Sequence, residues 1–134
     1  MPGPVLIVQV SDALAGLRLL VVEDEALVAM LIEDALLDLG CEVVGPAGTV
    51  RAALRFAAAA RGELDGALLD VNLGGEKVYP VADVLAKAGV PFLFVSGYGA
   101  AGLDAAHSGA TVVKKPFARE DLARGIEQGI LGRG

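Results

Sequence analysis

The chain has 134 residues, which is enough for one domain with a sizeable core but too few for two functional domains. Its net charge of −6, from 17 acidic and 11 basic residues, argues against a nucleic-acid partner, because nucleic-acid binding depends on clustered lysines and arginines. Cys41 is the only cysteine, so an intrachain disulfide and a thiolate zinc cluster are excluded, and we expect a small buried hydrophobic residue there.

The first 16 residues precede the regular pattern of the chain. Their apolar stretch, residues 5–10, is too short to span a bilayer and lacks the basic segment of a signal peptide. We therefore expect a cytoplasmic protein that does not act at a membrane. The stretch is consistent with an added edge strand, a disordered lead or an expression remnant. We divide the chain into an N-terminal extension of unknown role (1–16), one domain (17–131) and a short tail (132–134).

From Leu17 onward, apolar runs of strand length alternate with segments of helical periodicity. The predicted strands cover residues 19–22, 41–44, 67–69, 91–95 and 111–114. Gly45-Pro46 is predicted to end the second strand. The third strand leads directly into Asp70, and the fourth has the continuous apolar character of a strand that is covered on both faces.

Each predicted strand is followed by a predicted helix. We expect Asp24 to cap the first helix, which ends at Gly40, and Thr49 to cap the second, which runs to about residue 60. The other helices are predicted at residues 79–88, weakly at 100–106, and at 119–130. The spacing of apolar residues in the first helix predicts a core-facing side made of Leu27, Val28, Leu31, Ile32 and Ala35.

The alternation of strands and helices predicts an α/β fold with a doubly wound parallel sheet. Ligands of such sheets bind at the carboxyl edge, so polar residues at the strand ends are the candidate site. These residues are Glu23, Asp24, Asp70, Ser96, Lys114 and Lys115.

Three carboxylates at one edge would repel one another unless a cation lies between them. Oxygen ligands suit a hard ion, so we expect Mg²⁺ or Mn²⁺ at Glu23, Asp24 and Asp70, with the backbone carbonyl of Asn72 as a further ligand. A lysine and a hydroxyl beside such a metal suit a phosphoryl group, for which Asp70 is the candidate nucleophile. By itself, an Asp at a strand end is also consistent with a simple turn cap.

Four motifs in chain order carry a resemblance to a known family. They are Val-Val-Glu-Asp-Glu (21–25), Leu-Leu-Asp-Val-Asn (68–72), Phe-Val-Ser-Gly-Tyr (94–98) and Lys-Lys-Pro-Phe (114–117). Together they resemble the response-regulator receiver domain of two-component signalling over residues 17–131. The resemblance implies a flavodoxin-like fold, with five strands in the order 2-1-3-4-5 and five helices.

The resemblance also implies roles for the matching positions. Asp70 corresponds to the phosphoacceptor for a histidine kinase or a histidine phosphotransfer protein, and the metal ligands are Glu23, Asp24, Asp70 and the Asn72 carbonyl. Ser96 resembles the switch hydroxyl. Lys115 resembles the phosphate-binding lysine, with a cis bond to the following proline, although the adjacent Lys114 is an alternative. Such a domain is not an enzyme beyond its own phosphorylation and dephosphorylation.

One position departs from the family pattern. Val112 stands where receivers commonly have a switching aromatic residue. The motif at 94–98 instead resembles a receiver subgroup with a Phe-Ala-Thr-Gly-type motif, in which Tyr98 and the loop from Gly97 to Gly102 would report phosphorylation and Tyr98 would shield the acyl phosphate. An exposed loop tyrosine without a switching role is the alternative.

The chain ends soon after the last predicted helix, so we expect a stand-alone receiver. It would act on an unidentified downstream protein, or as a phosphate shuttle or sink, and could dimerise through its fourth and fifth β/α units. The alternatives are a haloacid-dehalogenase-like phosphatase and a degenerate receiver that acts only as an interaction module. Asn72 disfavours the phosphatase because those enzymes have an acid/base Asp there. The G-x-G-x-x-G pattern at 97–102 lacks the context of a dinucleotide site, and His107 is expected at the surface.

Overall fold

The computed structural model describes residues 13–60 and 62–132. The alternatives for residues 5–10, and most of the predicted N-terminal extension, lie outside these residues. Within them, no helix combines the length and the apolar character that crossing a membrane requires.

A five-stranded parallel sheet forms the centre of the domain. The strands in chain order are β1 (Arg18–Val22), β2 (Glu42–Ala47), β3 (Gly66–Asp70), β4 (Asn72–Leu73), β5 (Glu76–Lys77), β6 (Phe92–Ser96) and β7 (Val112–Lys114). The central sheet has the order β2-β1-β3-β6-β7, while β4 and β5 form a separate antiparallel hairpin. The α/β class and the predicted order of the five main strands are confirmed.

The described residues contain four α-helices rather than the predicted five. They are α1 (Ala26–Asp38), α2 (Val50–Ala59), α3 (Tyr79–Lys87) and α4 (Arg119–Gly129). The segment predicted as a weak helix at 100–106 forms two short 3₁₀ turns instead, Gly99–Gly102 and Ala105–His107. Glycines at both ends of the first turn disfavour a longer helix, because glycine is a poor helix former.

Alternate residues of the central strands point to opposite faces of the sheet, and each face is covered by two helices. The face under α1 and α4 buries Leu19, Val21, Leu68, Leu93 and Val95. The face under α2 and α3 buries Leu20, Val22, Ala67, Leu69 and Phe94. Full burial of each larger apolar side chain contributes about 1.5–3 kcal/mol. This two-sided core leaves the carboxyl edge of the sheet for polar residues.

The core-facing side of α1 differs from the prediction. Leu27 and Leu31 are exposed, whereas Ala29, Ile32 and Leu36 are buried. Because apolar residues occur on nearly every side of this helix, their spacing does not single out one face.

Of three predicted element boundaries, the start of α1 and the end of β2 are wrong, and the start of α2 is confirmed. Glu25, not Asp24, is the residue that precedes the first turn of α1, and it makes no side-chain cap. β2 continues through the cis Gly45-Pro46 bond to Ala47, since an edge strand with an irregularity tolerates a proline. Thr49 does cap α2, because its side chain accepts a hydrogen bond from the Ala52 amide at 3.0 Å.

Cys41 is buried, as expected, between α1 and β2. Its Sγ lies 3.5 Å from the backbone carbonyl oxygen of Leu14. The side chain of Leu14 is also buried. Burial raises the pKa of the Cys41 thiol to about 11. The thiol is therefore a packing group of the core.

Candidate functional site

Three carboxylates meet at the carboxyl edge of the sheet. Glu23 and Asp24 directly follow β1, and Asp70 is the last residue of the adjacent strand β3. Each offers a carboxylate oxygen, and the three oxygens lie within 4.8 Å of one another. Glu23 and Asp70 are buried, whereas Asp24 is exposed. The parallel register of β1 and β3 thus produces a compact acidic cluster open to solvent on one side.

Lys115 supplies the positive charge of this site. Its Nζ lies 3.0 Å from Oε1 of Glu23 and 3.4 Å from Oδ2 of Asp70. The backbone places it there, because the Lys115 amide donates to the carbonyl of Ser96 at 2.9 Å and the bond to Pro116 is cis. The adjacent Lys114 is exposed, with its aliphatic chain beside Gly99. Of the two lysines, the structure brings only Lys115 into contact with the acidic cluster.

The cluster perturbs the protonation of its members. Burial raises the pKa of Glu23 to about 7, and the hydrogen bond and the charge of Asp70 add to this effect while Lys115 opposes it. Burial lowers the pKa of Lys115, but its contacts with Glu23 and Asp70 outweigh this and leave the pKa above its ordinary value. Glu23 therefore binds a proton more readily than an ordinary carboxyl group when no metal ion is bound.

Ser96 ends β6, the strand next to β3, and its side chain is buried. Its hydroxyl accepts a hydrogen bond from the Tyr98 amide at 3.1 Å. The hydroxyl is thus turned toward its own loop. Gly102 packs so closely on this hydroxyl that a β-carbon added there would overlap the Ser96 oxygen.

Asn72 follows the cluster on the β4–β5 hairpin. Its amide donates to Oδ1 of Asp70 at 3.4 Å, and its side-chain oxygen accepts from Lys77. The hairpin turn lies beside the cluster, since a β-carbon on Gly74 would be 3.7 Å from Oδ2 of Asp24. Asn72 therefore adjoins the site, and its carbonyl remains a predicted ligand.

The other predicted switch residues, Gly97, Tyr98 and Val112, are not members of the acidic cluster. Tyr98 is 73% exposed in the loop after β6, and the neighbouring Gly97 is exposed as well. Val112 is half-buried, pairs with Phe94 across β6 and β7, and packs against the core under α2 and α3. No hydrogen bond in the described residues connects Tyr98 with Asp70, and the reporting role of Tyr98 stays a prediction.

One contributor near the site, Tyr79, was not predicted from the sequence. Tyr79 begins α3, and its hydroxyl lies 3.4 Å from the carbonyl oxygen of Gly102. Gly102 in turn contacts Ser96. The tyrosine was assigned only to a helix, and its distance of 23 positions from Gly102 left no local signal of this contact.

Solved structures similar to this chain are response-regulator receivers. SdrG from Sphingomonas melonis Fr1 is 40% identical, with 84% of this chain and 94% of that one covered and a TM-score of 0.71. The REC domain of the response regulator PhyR from Erythrobacter litoralis is 28% identical, with coverages of 87% and 91% and a TM-score of 0.73. No protein-family profile and no curated protein sequence matches the chain.

The response regulator PhyR from Brucella abortus is also 28% identical, with a TM-score of 0.74 over 88% of this chain. The chain spans about half the length of that protein, since the match covers 49% of it. This fold, the edge site and these similarities show that the chain belongs to the receiver domains of response regulators. Receiver domains are generally signalling modules rather than enzymes, and they interact with kinases or downstream proteins.

Proposed function

We propose that this receiver takes a phosphoryl group onto Asp70 from the phosphohistidine of a histidine kinase or a histidine phosphotransfer protein. The observation that carries the proposal is the position of Asp70, a buried carboxylate at a strand end with the Lys115 ammonium 3.4 Å away. A carboxylate oxygen of Asp70 would attack the phosphorus, and the bond from phosphorus to the histidine nitrogen would break. The nitrogen would leave with the electron pair of that bond and take up a proton from solvent, giving an acyl phosphate on Asp70 and a neutral histidine on the donor.

The acidic cluster fits a bound magnesium ion. Glu23 Oε1 is buried and accepts no well-directed hydrogen bond, although Lys115 Nζ is close to it. Together with Asp24 and Asp70, it offers three oxygens within 4.8 Å, the donor type that Mg²⁺ or Mn²⁺ takes. When bound, the ion would neutralise charge on the phosphoryl oxygens. Glu23, Asp24, Asp70 and the Asn72 carbonyl would hold it, with water completing its coordination.

Lys115 and Ser96 would recognise the phosphoryl group after transfer. Lys115 already lies within 3.4 Å of Asp70, so its ammonium could pair with a phosphoryl oxygen in place of Glu23. Ser96 would turn its hydroxyl from the Tyr98 amide toward the phosphoryl group, which releases the loop after β6. The altered loop would carry the signal to a downstream protein, or the domain would act as a phosphate shuttle or sink.

Phosphotransfer tests this proposal directly. The wild type and Asp70→Asn are incubated with Mg²⁺ and a panel of autophosphorylated histidine kinases, and in parallel with a small phosphodonor. Asp34→Asn is the matched control, because Asp34 is exposed on α1. We expect labelling of the wild type and the control but not of Asp70→Asn. Equal labelling of Asp70→Asn would overturn the assignment, turnover of phosphate monoesters would favour the phosphatase, and no labelling would favour an interaction module.

A further inference from the structure

One histidine fastens the loop between β6 and β7 to α3. Nδ1 of His107 lies 2.6 Å from Oδ1 of Asp104, and Nε2 lies 3.3 Å from Oδ1 of Asp83 on α3. The imidazole stacks on Tyr79, with ring centroids 4.4 Å apart and planes 12° from parallel. We call these four residues, His107, Tyr79, Asp83 and Asp104, the clasp. His107 is half-buried within it, rather than the fully exposed surface residue that was expected.

The clasp also holds the loop backbone through Tyr79. The Tyr79 hydroxyl accepts a hydrogen bond from the Asp104 amide at 2.9 Å and donates to the Gly102 carbonyl at 3.4 Å. Gly102 is the residue that packs against the Ser96 hydroxyl. The contacts therefore run without a break from His107 through Tyr79 and Gly102 to Ser96.

The geometry of the clasp favours a protonated imidazole. Each ring nitrogen faces a carboxylate oxygen, and an imidazole can donate from both nitrogens only when it carries a proton on each. Burial lowers the pKa of His107, but the hydrogen bonds and charges of Asp104 and Asp83 outweigh it, so the pKa lies above 6.5. The charged or titratable described residues in contact with the ring are Asp104, Asp83 and Tyr79, and β6 contributes only the apolar edge contact of Phe94.

We propose that the protonation state of His107 controls the loop between β6 and β7. The protonated imidazole holds this loop against Ser96, and its deprotonation favours the arrangement with a phosphoryl group on Asp70. The proposal rests on the proposed function and adds its regulation. To reach a phosphoryl group, the Ser96 hydroxyl must leave the Tyr98 amide and its packing against Gly102. Whatever holds Gly102 in place therefore opposes that movement.

The direction of the pH effect follows from linkage. The clasped loop binds the His107 proton more tightly than a released loop, so rising pH through the pKa of His107 weakens the clasp. Affinity for a phosphoryl group at Asp70 then rises. Typical couplings between two such sites are about fivefold or more.

The first experiment follows the clasp without any phosphorylation. His107 is the only histidine, so its imidazole resonances are unambiguous in an NMR titration. We expect a pKa above 6.5 and the same pKa in the amide shifts of Gly102 and Leu103. Asp83→Asn should lower this pKa, whereas Asp34→Asn, on the opposite face of the sheet, should not. The clasp would be refuted if the pKa of His107 were that of an ordinary imidazole, or if the amide shifts of Gly102 and Leu103 did not titrate with His107.

The second experiment measures the coupling with a phosphoryl analogue. Affinity for beryllofluoride with Mg²⁺ is compared at about pH 6 and about pH 8.5 in the wild type and in His107→Gln. Both proteins keep Glu23, so its titration cancels in the comparison. We expect the wild type to gain about fivefold more affinity than His107→Gln as pH rises. An equal gain would overturn the coupling. If the wild type binds no beryllofluoride at either pH, both the proposed function and the pH coupling are refuted. The NMR titration then still tests whether the clasp forms.

Discussion

The Nζ atom of Lys115 lies 3.0 Å from Oε1 of Glu23, so the cation assigned to phosphoryl recognition is paired with a carboxylate. Glu23 is itself one of the three carboxylates among the candidate metal ligands. A magnesium ion at the cluster would compete for Glu23 and free Lys115 for phosphoryl oxygens. Under the proposed function, this pair would link metal binding to phosphoryl recognition.

Stability of the metal-free protein should fall as pH rises. The pKa of Glu23 is raised from 4.5 to about 7, so the folded protein binds more protons than the unfolded chain between these values. That contribution is fully present below about pH 4.5 and is lost as pH rises through about 7, at a cost of about 1–3 kcal/mol. Urea unfolding in a chelator across this range measures it. Glu23→Gln should flatten the dependence, and an unchanged slope would contradict our account.

Replacing Asp24 should weaken metal binding without unfolding the domain. Its carboxylate is exposed, so Asp24→Asn removes a ligand but leaves no buried charge unpaired. We expect Mg²⁺ affinity to drop by about tenfold or more, measured by calorimetry. The neighbouring exposed Glu25 lies outside the cluster, so Glu25→Gln is the matched control and should keep the wild-type affinity.

Lys115→Ala should cost both stability and phosphotransfer. It leaves Glu23 and Asp70 buried without their cation, which destabilises the folded state by about 1–3 kcal/mol in the absence of Mg²⁺. Denaturant unfolding and the labelling assay give the two readouts. The control is Lys114→Ala, whose exposed side chain makes no ion pair in the described residues. Similar effects from both substitutions would argue against the assignment of Lys115.

Gly102→Ala should displace the loop from Ser96. The added methyl group would overlap the Ser96 hydroxyl, and relieving that overlap costs about 1–3 kcal/mol. We expect lost stability in thermal unfolding and shifted amide resonances of Ser96 and Tyr98. Gly97→Ala has open space around its methyl group and should be nearly neutral. If Gly102→Ala leaves the Ser96 resonances unchanged, the close contact is not present in solution.

Much of the fold was predictable because strand length and apolar pattern identify buried parallel strands. The same pattern places Glu23, Asp70 and Ser96 at strand ends, and parallel pairing then brings those ends to one edge. The pairing of Lys115 with Glu23 could not be predicted from local sequence, because the two residues are far apart in the chain and meet only in the folded structure. Motif resemblance could select Lys115 over Lys114, but only the structure shows which ammonium contacts the acidic cluster.

Two predictions, the core-facing side of α1 and the weak helix at 100–106, were wrong mainly because contacts between different elements decide these features. α1 is apolar on most sides, so packing against the sheet, rather than periodicity, decides that Ile32 is buried and Leu31 is not. The loop after β6 avoids an α-helix where Tyr79, from another element, bonds the backbone around Gly102. Gly99 and Gly102 are visible in the sequence as poor helix formers, but neither of these tertiary contacts leaves a local signature there.

The buried thiol of Cys41 gives this domain an internal reporter. A thiolate is the reactive form, and with a pKa of about 11 very little of it exists near neutral pH in the folded protein. A thiol reagent can therefore modify the native domain only when the region between α1 and β2 opens. Because the chain has no second cysteine, the rate of that single reaction reports how readily this region opens, without any introduced probe.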